Sequence, residues 1–146
     1  MEHKFDSLPS KEEYVEQVIT FLTQNNYDFE KDEDSSSNII GEIHVGGEMY
    51  HLSYETDELA PYLVIIKMIA VSPEEMELKY QRLLQIANVV NNEMIVAKMQ
   101  VVREYGVFFY VAAPLPFLRS LASFIAYSID AIDLTSDKYQ NTLMVI

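Results

Sequence analysis

The chain has 146 residues, a length that suits one domain with a hydrophobic core of its own. Apolar residues make up 49% of it, so a packed interior is expected rather than disorder. The 23 acidic residues outnumber the 10 basic ones, and the formal net charge of -13 disfavours nucleic acid and anionic membrane surfaces as partners. Cysteine is absent, which excludes disulfides and cysteine-ligated zinc and favours a reducing, cytoplasmic location.

The first residues of the chain predict no export signal, since they form neither a basic segment nor an apolar one. Residues 106–129 are the stretch that most resembles a membrane span. Pro114 and Pro116 divide this stretch and Arg119 interrupts its second half, whereas a span needs about 20 unbroken apolar residues. Membrane insertion is therefore not expected.

Helix one is predicted to begin after Ser10. This serine and Glu13 form a capping box, in which each side chain satisfies a free backbone amide of the other residue. Apolar residues then recur at helical spacing until Asn25 and Asn26, which provide a stop. These apolar residues are Tyr14, Val15, Val18, Ile19 and Leu22.

A tight β-hairpin is predicted around Gly46 and Gly47, in the middle of residues 39–54. A short strand at residues 27–30 and an acidic, serine-rich loop at residues 32–38 precede it. A two-residue turn fixes the register, because a slip of one residue would move every side chain to the other face. The facing pairs are then Val45 with Glu48, His44 with Met49, and Glu42 with His51.

Residues 62–71 are apolar apart from Lys67, which predicts a central strand with both faces largely covered. Ser72 and Glu75 repeat the capping box, with Pro73 at the first helical position. Helix two follows and is predicted to end at a pair of asparagines.

A second hairpin is predicted from residues 94–102 and 107–113, and two prolines lead from it into helix three. Residues 134–146 follow no pattern that places them. The predicted order is α, three or four strands, α, two strands, α. Hairpin-linked strands imply an antiparallel sheet, so the expected fold class is α+β, a two-layer sandwich.

One domain is expected to span residues 1–146, with its core at about residues 10–133.

Glu42, His44 and His51 are the candidate metal ligands, because the predicted register places them on one face of the sheet. Three ligands leave the set incomplete, and histidines on the polar face of a hairpin are more often exposed to solvent. The sequence contains neither a nucleophile elbow nor a glycine-rich phosphate loop. Neither a catalytic residue nor a cofactor is therefore expected.

The chain carries more apolar surface than one helical layer covers. Residues 94–111 are apolar on both faces of the predicted hairpin, and Phe117, Phe124 and Tyr127 widen the apolar stripe of helix three. Either helix three or the C-terminal segment covers the second sheet face, or a partner or second copy does. The candidate interface residues are Met94, Val96, Phe108, Tyr110, Phe117 and Phe124.

Residues 83–92 have the sequence Leu-Leu-Gln-Ile-Ala-Asn-Val-Val-Asn-Asn and precede the second hairpin and helix three. Through this segment the sequence resembles the YbjN-like family of bacterial sensory transduction regulators, which has a type III secretion chaperone-like fold. Residues 39–54 match the early hairpin of the family, so the resemblance covers about residues 10–133. It implies a non-enzymatic, dimeric protein with a chaperone-like or regulatory binding role, and it carries over no catalytic residue.

The leading hypothesis is therefore a cytoplasmic, acidic protein-binding module that acts as a homodimer or on a protein partner. The alternative is a small metal-dependent enzyme or metal-binding protein that uses His44, His51 and Glu42. A subunit of a larger complex, without activity of its own, is a third hypothesis.

Overall fold

The structure is a computed structural model that describes residues 9–34, 38–56 and 61–145. Its helices are α1 (Lys11–Gln24), α2 (Pro73–Glu93) and α3 (Leu121–Val145), and a 3-10 turn (Leu118–Ser120) precedes α3. Its strands are β1 (Phe29–Lys31), β2 (Ile39–Val45), β3 (Glu48–Thr56), β4 (Pro61–Ala70), β5 (Lys98–Val102) and β6 (Gly106–Pro114).

All of these strands pair antiparallel in one sheet, in the order β1-β2-β3-β4-β6-β5. The apolar strand β4 lies inside the sheet, between β3 and β6. Its ladder with β6 runs from Tyr62 opposite Pro114 to Ala70 opposite Gly106. The helices and the antiparallel sheet confirm the predicted α+β class.

The three helices pack their buried side chains against one face of the sheet. The ring of Tyr139 on α3 lies 5.6 Å from that of Phe109, and the ring of Tyr14 on α1 lies 6.3 Å from that of Tyr54, between centroids. The sheet residues in this core are Ile40, Ile43, Tyr50, Leu52, Tyr54, Leu63, Ile65, Met99, Val107, Phe109 and Val111. Helices over one sheet face are compatible with the predicted two-layer sandwich.

The hairpin of β2 and β3 has the predicted register. Val45 lies opposite Glu48 and Glu42 lies opposite His51, with the turn at Gly46 and Gly47 between the strands. The two glycines have φ angles of 60° and 81°, a left-handed conformation that glycine adopts without steric penalty. Local turn chemistry is therefore enough to fix this register.

The polar face of the same hairpin is less exposed than predicted. Ser53 is 1% exposed and His51 is 9% exposed, whereas His44 is half-buried. The Ser53 hydroxyl donates a hydrogen bond to Glu55 Oε1 at 2.7 Å, so its burial is compensated. No corresponding bond is made by His51.

Serine caps begin both α1 and α2, as predicted. Ser10 Oγ accepts a hydrogen bond from the Glu13 backbone amide, and Ser72 Oγ accepts one from the Glu75 amide, each at 3.2 Å. These bonds satisfy two of the amide groups that a helix start leaves without an intrahelical partner. Pro73 occupies the first turn of α2, where its missing amide hydrogen has no consequence.

Replacing Ser72 by alanine is expected to lower the free energy of unfolding by about 1 kcal/mol, because the Glu75 amide loses its acceptor. Ser123→Ala is the matched control, since it removes an exposed hydroxyl inside α3 and should change stability by less than about 0.5 kcal/mol. Urea unfolding of the two variants measures the difference. Equal losses would show that the cap contributes nothing.

The start of β5 differs from the prediction. Residues 94–97 form a bend and not the beginning of a strand. The reason is the side chain of Asn91 near the end of α2. Its amide nitrogen donates to the Met99 carbonyl at 2.9 Å and its oxygen accepts from the Met99 amide at 2.8 Å. This pair of bonds ties the end of α2 to β5, and the intervening residues have to loop out.

The sequence does not predict a structure for the C-terminal segment. In the structure, this segment continues α3 to Val145. Tyr139 is 5% exposed in the core and Leu143 packs at its edge. The segment therefore joins the other helices, and it leaves the second sheet face free of α3.

None of the helices in the described ranges combines the length and the apolar composition that crossing a membrane requires. Residues 106–129, the stretch considered as a span, are divided between β6, the 3-10 turn and α3. Residues 35–37, part of the predicted acidic, serine-rich loop, lie outside the described residues, as do residues 57–60 and His3 with its neighbours.

Candidate functional site

The second face of the sheet carries an uncharged area along its two longest strands. The side chains of β4 and β6 on this face are Tyr62, Val64, Ile66, Met68, Ala70, Phe108, Tyr110, Ala112 and Pro114. No helix in the described ranges packs on this area, yet Val64 is buried there, so the expected cover on the second face of β4 is found in part. Met68 remains 44% exposed there.

Two of the predicted interface residues lie on this second face. Phe108 and Tyr110 are half-buried and point away from the core that contains their neighbour Phe109. Phe108 is opposite Met68 and Tyr110 is opposite Ile66 across the β4–β6 ladder. Side chains alternate between the two faces along a strand, so the adjacent residues Phe108 and Phe109 have different surroundings.

The other four predicted interface residues lie elsewhere. Met94 and Val96 belong to the bend that follows α2, and Phe117 lies just before the 3-10 turn, 74% exposed. Phe124 is half-buried on α3 and packs against the core. The six residues therefore occupy separate surfaces, and the structure does not bring them together in one site.

A further group of exposed apolar residues joins the bend after α2 to α3, and we call it the α3 patch. It consists of Ile95, Val96, Tyr127, Ala131 and Leu134, which are among the residues that line a cavity of about 360 Å³. Ile95 is 86% exposed, Tyr127 61% and Leu134 62%. Tyr127, Ala131 and Leu134 follow helical spacing along α3; Tyr127 and Leu134 are exposed, and the half-buried Ala131 packs against the core.

A second apolar cleft, of about 630 Å³, lies between the start of α1 and the segment before α3. Tyr14 and Phe117 line it, and Arg119 lies with its guanidinium carbon 5.4 Å from the centroid of the Phe117 ring. The Tyr14 hydroxyl donates to the Pro116 carbonyl at 2.8 Å and so holds the cleft's two sides together. Burial, with the neighbouring Tyr54, raises the pKa of Tyr14 to about 12.

A polar cluster lies at the edge of the core, where α3 crosses β3 and β4. The Tyr50 hydroxyl donates to Asp133 Oδ1 at 2.7 Å, and Lys67 Nζ lies 3.9 Å from the same oxygen and 3.5 Å from Glu48. Burial, the hydrogen bond to Asp133 and nearby carboxylates raise the pKa of Tyr50. These contacts compensate the positive charge of Lys67, the one lysine of β4, and they hold α3 over the sheet.

The sequence does not predict this cluster, although the position of Lys67 in β4 points to it. A lone charged residue in a run predicted to be buried needs a partner. Its partner Asp133 is 66 positions away, on a helix whose placement the sequence did not determine.

The candidate metal ligands are only partly brought together. Ligand atoms of Glu30, Glu42 and His44 lie within 4.8 Å of one another, with His44 Nε2 3.9 Å from Glu42 Oε2. Glu30 joins the group because β1 pairs with β2 and places it directly opposite Glu42. The third predicted ligand, His51, lies on the same sheet face but outside this group of three.

Glycine at position 41 makes the close approach of β1 possible. A side chain there would collide with the Glu30 carbonyl oxygen and with the ring of Phe29. A glycine inside a strand often marks such an approach of another chain segment. Gly41 is therefore the sequence feature that indicates that Glu30 lies beside Glu42.

His51 differs from the other polar residues of the described sheet because it is buried without a hydrogen-bond partner. It is 9% exposed, and neither ring nitrogen has a partner. With Glu30 and Glu42 it lines a cavity of about 270 Å³ that Asp32 and Glu33 also border. One imidazole and several carboxylates therefore line the same small cavity.

Comparisons with protein-family models, curated proteins and solved structures found no match to this chain. The resemblance to the YbjN-like family therefore stays a prediction. The surfaces and clusters described above are the basis for inferring a function.

Proposed function

We propose that this chain is a non-enzymatic protein-binding module that forms a homodimer through the α3 patch. The observation that carries the proposal is the gathering of four exposed apolar side chains, Ile95, Val96, Tyr127 and Leu134, on one surface. Single exposed apolar residues are common on monomers, whereas contiguous groups mark interaction surfaces. Aromatic residues such as Tyr127 are enriched in interfaces.

A second copy of the chain suits this surface because the order of side chains along α3 is self-complementary. The half-buried Ala131 lies between two large residues, Tyr127 four positions before it and Leu134 three positions after it. Two antiparallel α3 helices related by a twofold axis near Ala131 would place each Tyr127 against the partner's Leu134. A small residue at the crossing point lets two helices approach closely, and a twofold contact requires one surface that matches itself.

The length of α3 also suits a helix-to-helix contact. It has 25 residues, which corresponds to about 37 Å. The α3 residues of the patch, Tyr127, Ala131 and Leu134, lie in its first half and middle, so its last turns stay with the core around Tyr139. Both helices of a dimer would keep their packing on the sheet.

Charge favours the same surface over the rest of the molecule. Each chain has a net charge of -13, so two copies repel each other at low salt. The α3 patch itself contains no charged residue, and two acidic side chains, Glu93 and Asp130, are among the described residues that line its cavity. A contact through this patch leaves most of the acidic surface exposed to solvent. Salt should strengthen the dimer, because it screens the repulsion between the two chains.

The binding role that we propose for the dimer is chaperone-like or regulatory, as the YbjN-like resemblance implies. The apolar cleft at Tyr14 and Phe117 supports it, because this cleft is separate from the α3 patch. Phe117 is 74% exposed at its edge, where a peptide side chain of a partner could pack.

Leu134→Glu is expected to convert the dimer into a monomer. The change places one carboxylate in the middle of an apolar contact that is repeated by symmetry, and burying an unpaired charge is unfavourable. Sedimentation equilibrium of the parent chain and the variant over a range of concentrations, at low and at moderate salt, measures the effect. We expect the parent dimer to be tighter at moderate salt.

Leu78→Glu is the matched control, since Leu78 is an 85% exposed leucine on α2, outside the patch. It should leave the parent's mass unchanged. A parent chain that is monomeric at every concentration would contradict the dimer. A dimer that Met68→Glu dissociates and Leu134→Glu does not would place the interface on the second sheet face instead.

A further inference from the structure

We propose that Glu30, Glu42, His44 and His51 form a binding site for one transition-metal dication of the Zn²⁺ class. The site lies on the second sheet face, across β1, β2 and β3. It is separate from the α3 patch, so it goes beyond the proposed dimer and does not depend on it. It also has a ligand set different from the three residues that the sequence predicts.

The geometry of three of the ligands is already convergent. Oxygen or nitrogen atoms of Glu30, Glu42 and His44 lie within 4.8 Å of one another. Atoms that bind one zinc ion at about 2 Å each lie at most about 4 Å apart, so the three side chains need only small adjustments. Imidazole together with carboxylate is a donor set that suits zinc and its neighbours among the transition metals.

His51 supplies the second observation, which is independent of the acidic residues. It is 9% exposed and both of its ring nitrogens lack a hydrogen-bond partner, so the folded chain leaves a buried polar group uncompensated. It lies directly opposite Glu42 and lines the same cavity as Glu30 and Glu42. A coordinated metal ion would satisfy one nitrogen of this ring.

The register of the strands explains how His51 can reach the other three ligands. Directly opposite residues on antiparallel strands have Cβ atoms about 5 Å apart, as Glu42 and His51 do here. His44 lies opposite Met49 and is therefore the diagonal neighbour of His51, a separation of about 7 to 8 Å that long side chains bridge. One ion between the strands is within reach of both imidazoles.

Electrostatics also favours a cation at this place. Glu30 and Glu42 are directly opposite across β1 and β2, and like charges in this position destabilise a sheet. Asp32 and Glu33 add negative charge at the border of the cavity, and Lys31 is the one lysine or arginine among the described residues that line it. A dication would relieve this repulsion and would hold the three-residue strand β1 against β2.

Four protein ligands complete a tetrahedral shell, which is typical of structural zinc sites, whereas catalytic sites keep a position open. The role that follows is to fix the edge strand β1. This role is compatible with a binding module and requires no enzymatic step.

Zinc chloride titrated into the full chain in a calorimeter is the test. We expect one Zn²⁺ per chain in the parent. Each of Glu30→Gln, His44→Ala and His51→Phe should weaken binding by at least about tenfold, since even residues that only support a ligand have effects of this size. Zinc should also slow amide hydrogen exchange of residues 29–31 in the parent and not in Glu30→Gln.

Two matched variants control for binding elsewhere. Glu77→Gln removes an exposed carboxylate of α2, and His3→Ala removes the histidine outside the described residues; both should bind zinc as the parent does. Glu30 is exposed and His44 half-buried, so these variants are expected to fold, which circular dichroism checks. Absence of binding in the parent, loss of binding in His3→Ala, or unchanged binding in both Glu30→Gln and His44→Ala would each overturn the proposal.

Discussion

Phe109→Ala is expected to lower the free energy of unfolding by about 3 to 5 kcal/mol, the largest loss for a single residue of this sheet. The Phe109 side chain is fully buried, and its ring lies 5.6 Å from that of Tyr139, between centroids. It is opposite Lys67 on β4 and Met99 on β5, so β6 places it between two neighbouring strands under α3. Removing the ring leaves a cavity that surrounding strands cannot close.

Phe108→Ala is the matched control, because it removes the same ring from the adjacent position on the other face of β6. Phe108 is half-buried and lies outside the core, so we expect a loss of about 1 kcal/mol. Urea unfolding at one fixed chain concentration measures both variants, because dimer formation makes stability depend on concentration. Equal losses would show that the second sheet face is covered as well as the first.

The contrast between Phe108 and Phe109 shows what the sequence of β6 could predict and what it could not. Because side chains alternate along a strand, the sequence predicts that the two rings lie on opposite faces of the sheet. Because both are apolar, the strand itself does not indicate which side the helices cover. The path of α3 decides this, and the Tyr50–Asp133 hydrogen bond that positions α3 joins residues far apart in the chain.

Features that depend on neighbouring residues were predicted well. The serine caps at Ser10 and Ser72 and the turn at Gly46 and Gly47 each act within a few residues, and the structure has them as expected. The start of β5 was predicted four residues too early, because the side chain of Asn91 takes the backbone groups of Met99. A hydrogen bond between a side chain of a helix and the backbone of the next strand leaves no periodic pattern in the sequence.

The candidate metal site was half predictable for the same reason. Glu42, His44 and His51 lie on one hairpin, and its two-glycine turn determined their common face. Glu30 comes from β1, a strand of three residues whose pairing with β2 is not visible in the hydrophobic pattern. The absent side chain at Gly41 allows this pairing, and it is the feature that links the two strands.

Alkaline unfolding is the second large effect that we expect, because several tyrosines are buried in the neutral form. Burial raises the pKa of Tyr14 from 10.0 to about 12, and burial also raises the pKa of Tyr50, Tyr54 and Tyr139. At Tyr50 the hydrogen bond to Asp133 acts in the same direction. The folded chain thus holds these protons more tightly than the unfolded chain does.

The sign of the pH dependence follows from that difference. Below pH 10.0 the tyrosines are neutral in both states, and their contribution to stability is fully present. Between pH 10.0 and about 12 the unfolded chain loses phenolic protons that the folded chain retains, so stability falls as pH rises. We expect the midpoint of thermal unfolding to fall steeply over this range and the chain to be unfolded above it.

Thermal unfolding followed by circular dichroism, together with tyrosinate absorbance, tests this expectation. Tyr50→Phe keeps the buried ring and removes one of the four phenolic protons, so its stability should fall less steeply with pH than that of the parent. Tyr105→Phe, at a ring that is 68% exposed, should keep the parent's steep fall. If the parent stays folded with all its tyrosines ionised, these phenols do not contribute to stability in their neutral form. The Tyr50–Asp133 contact would then not be what holds α3 over β3 and β4.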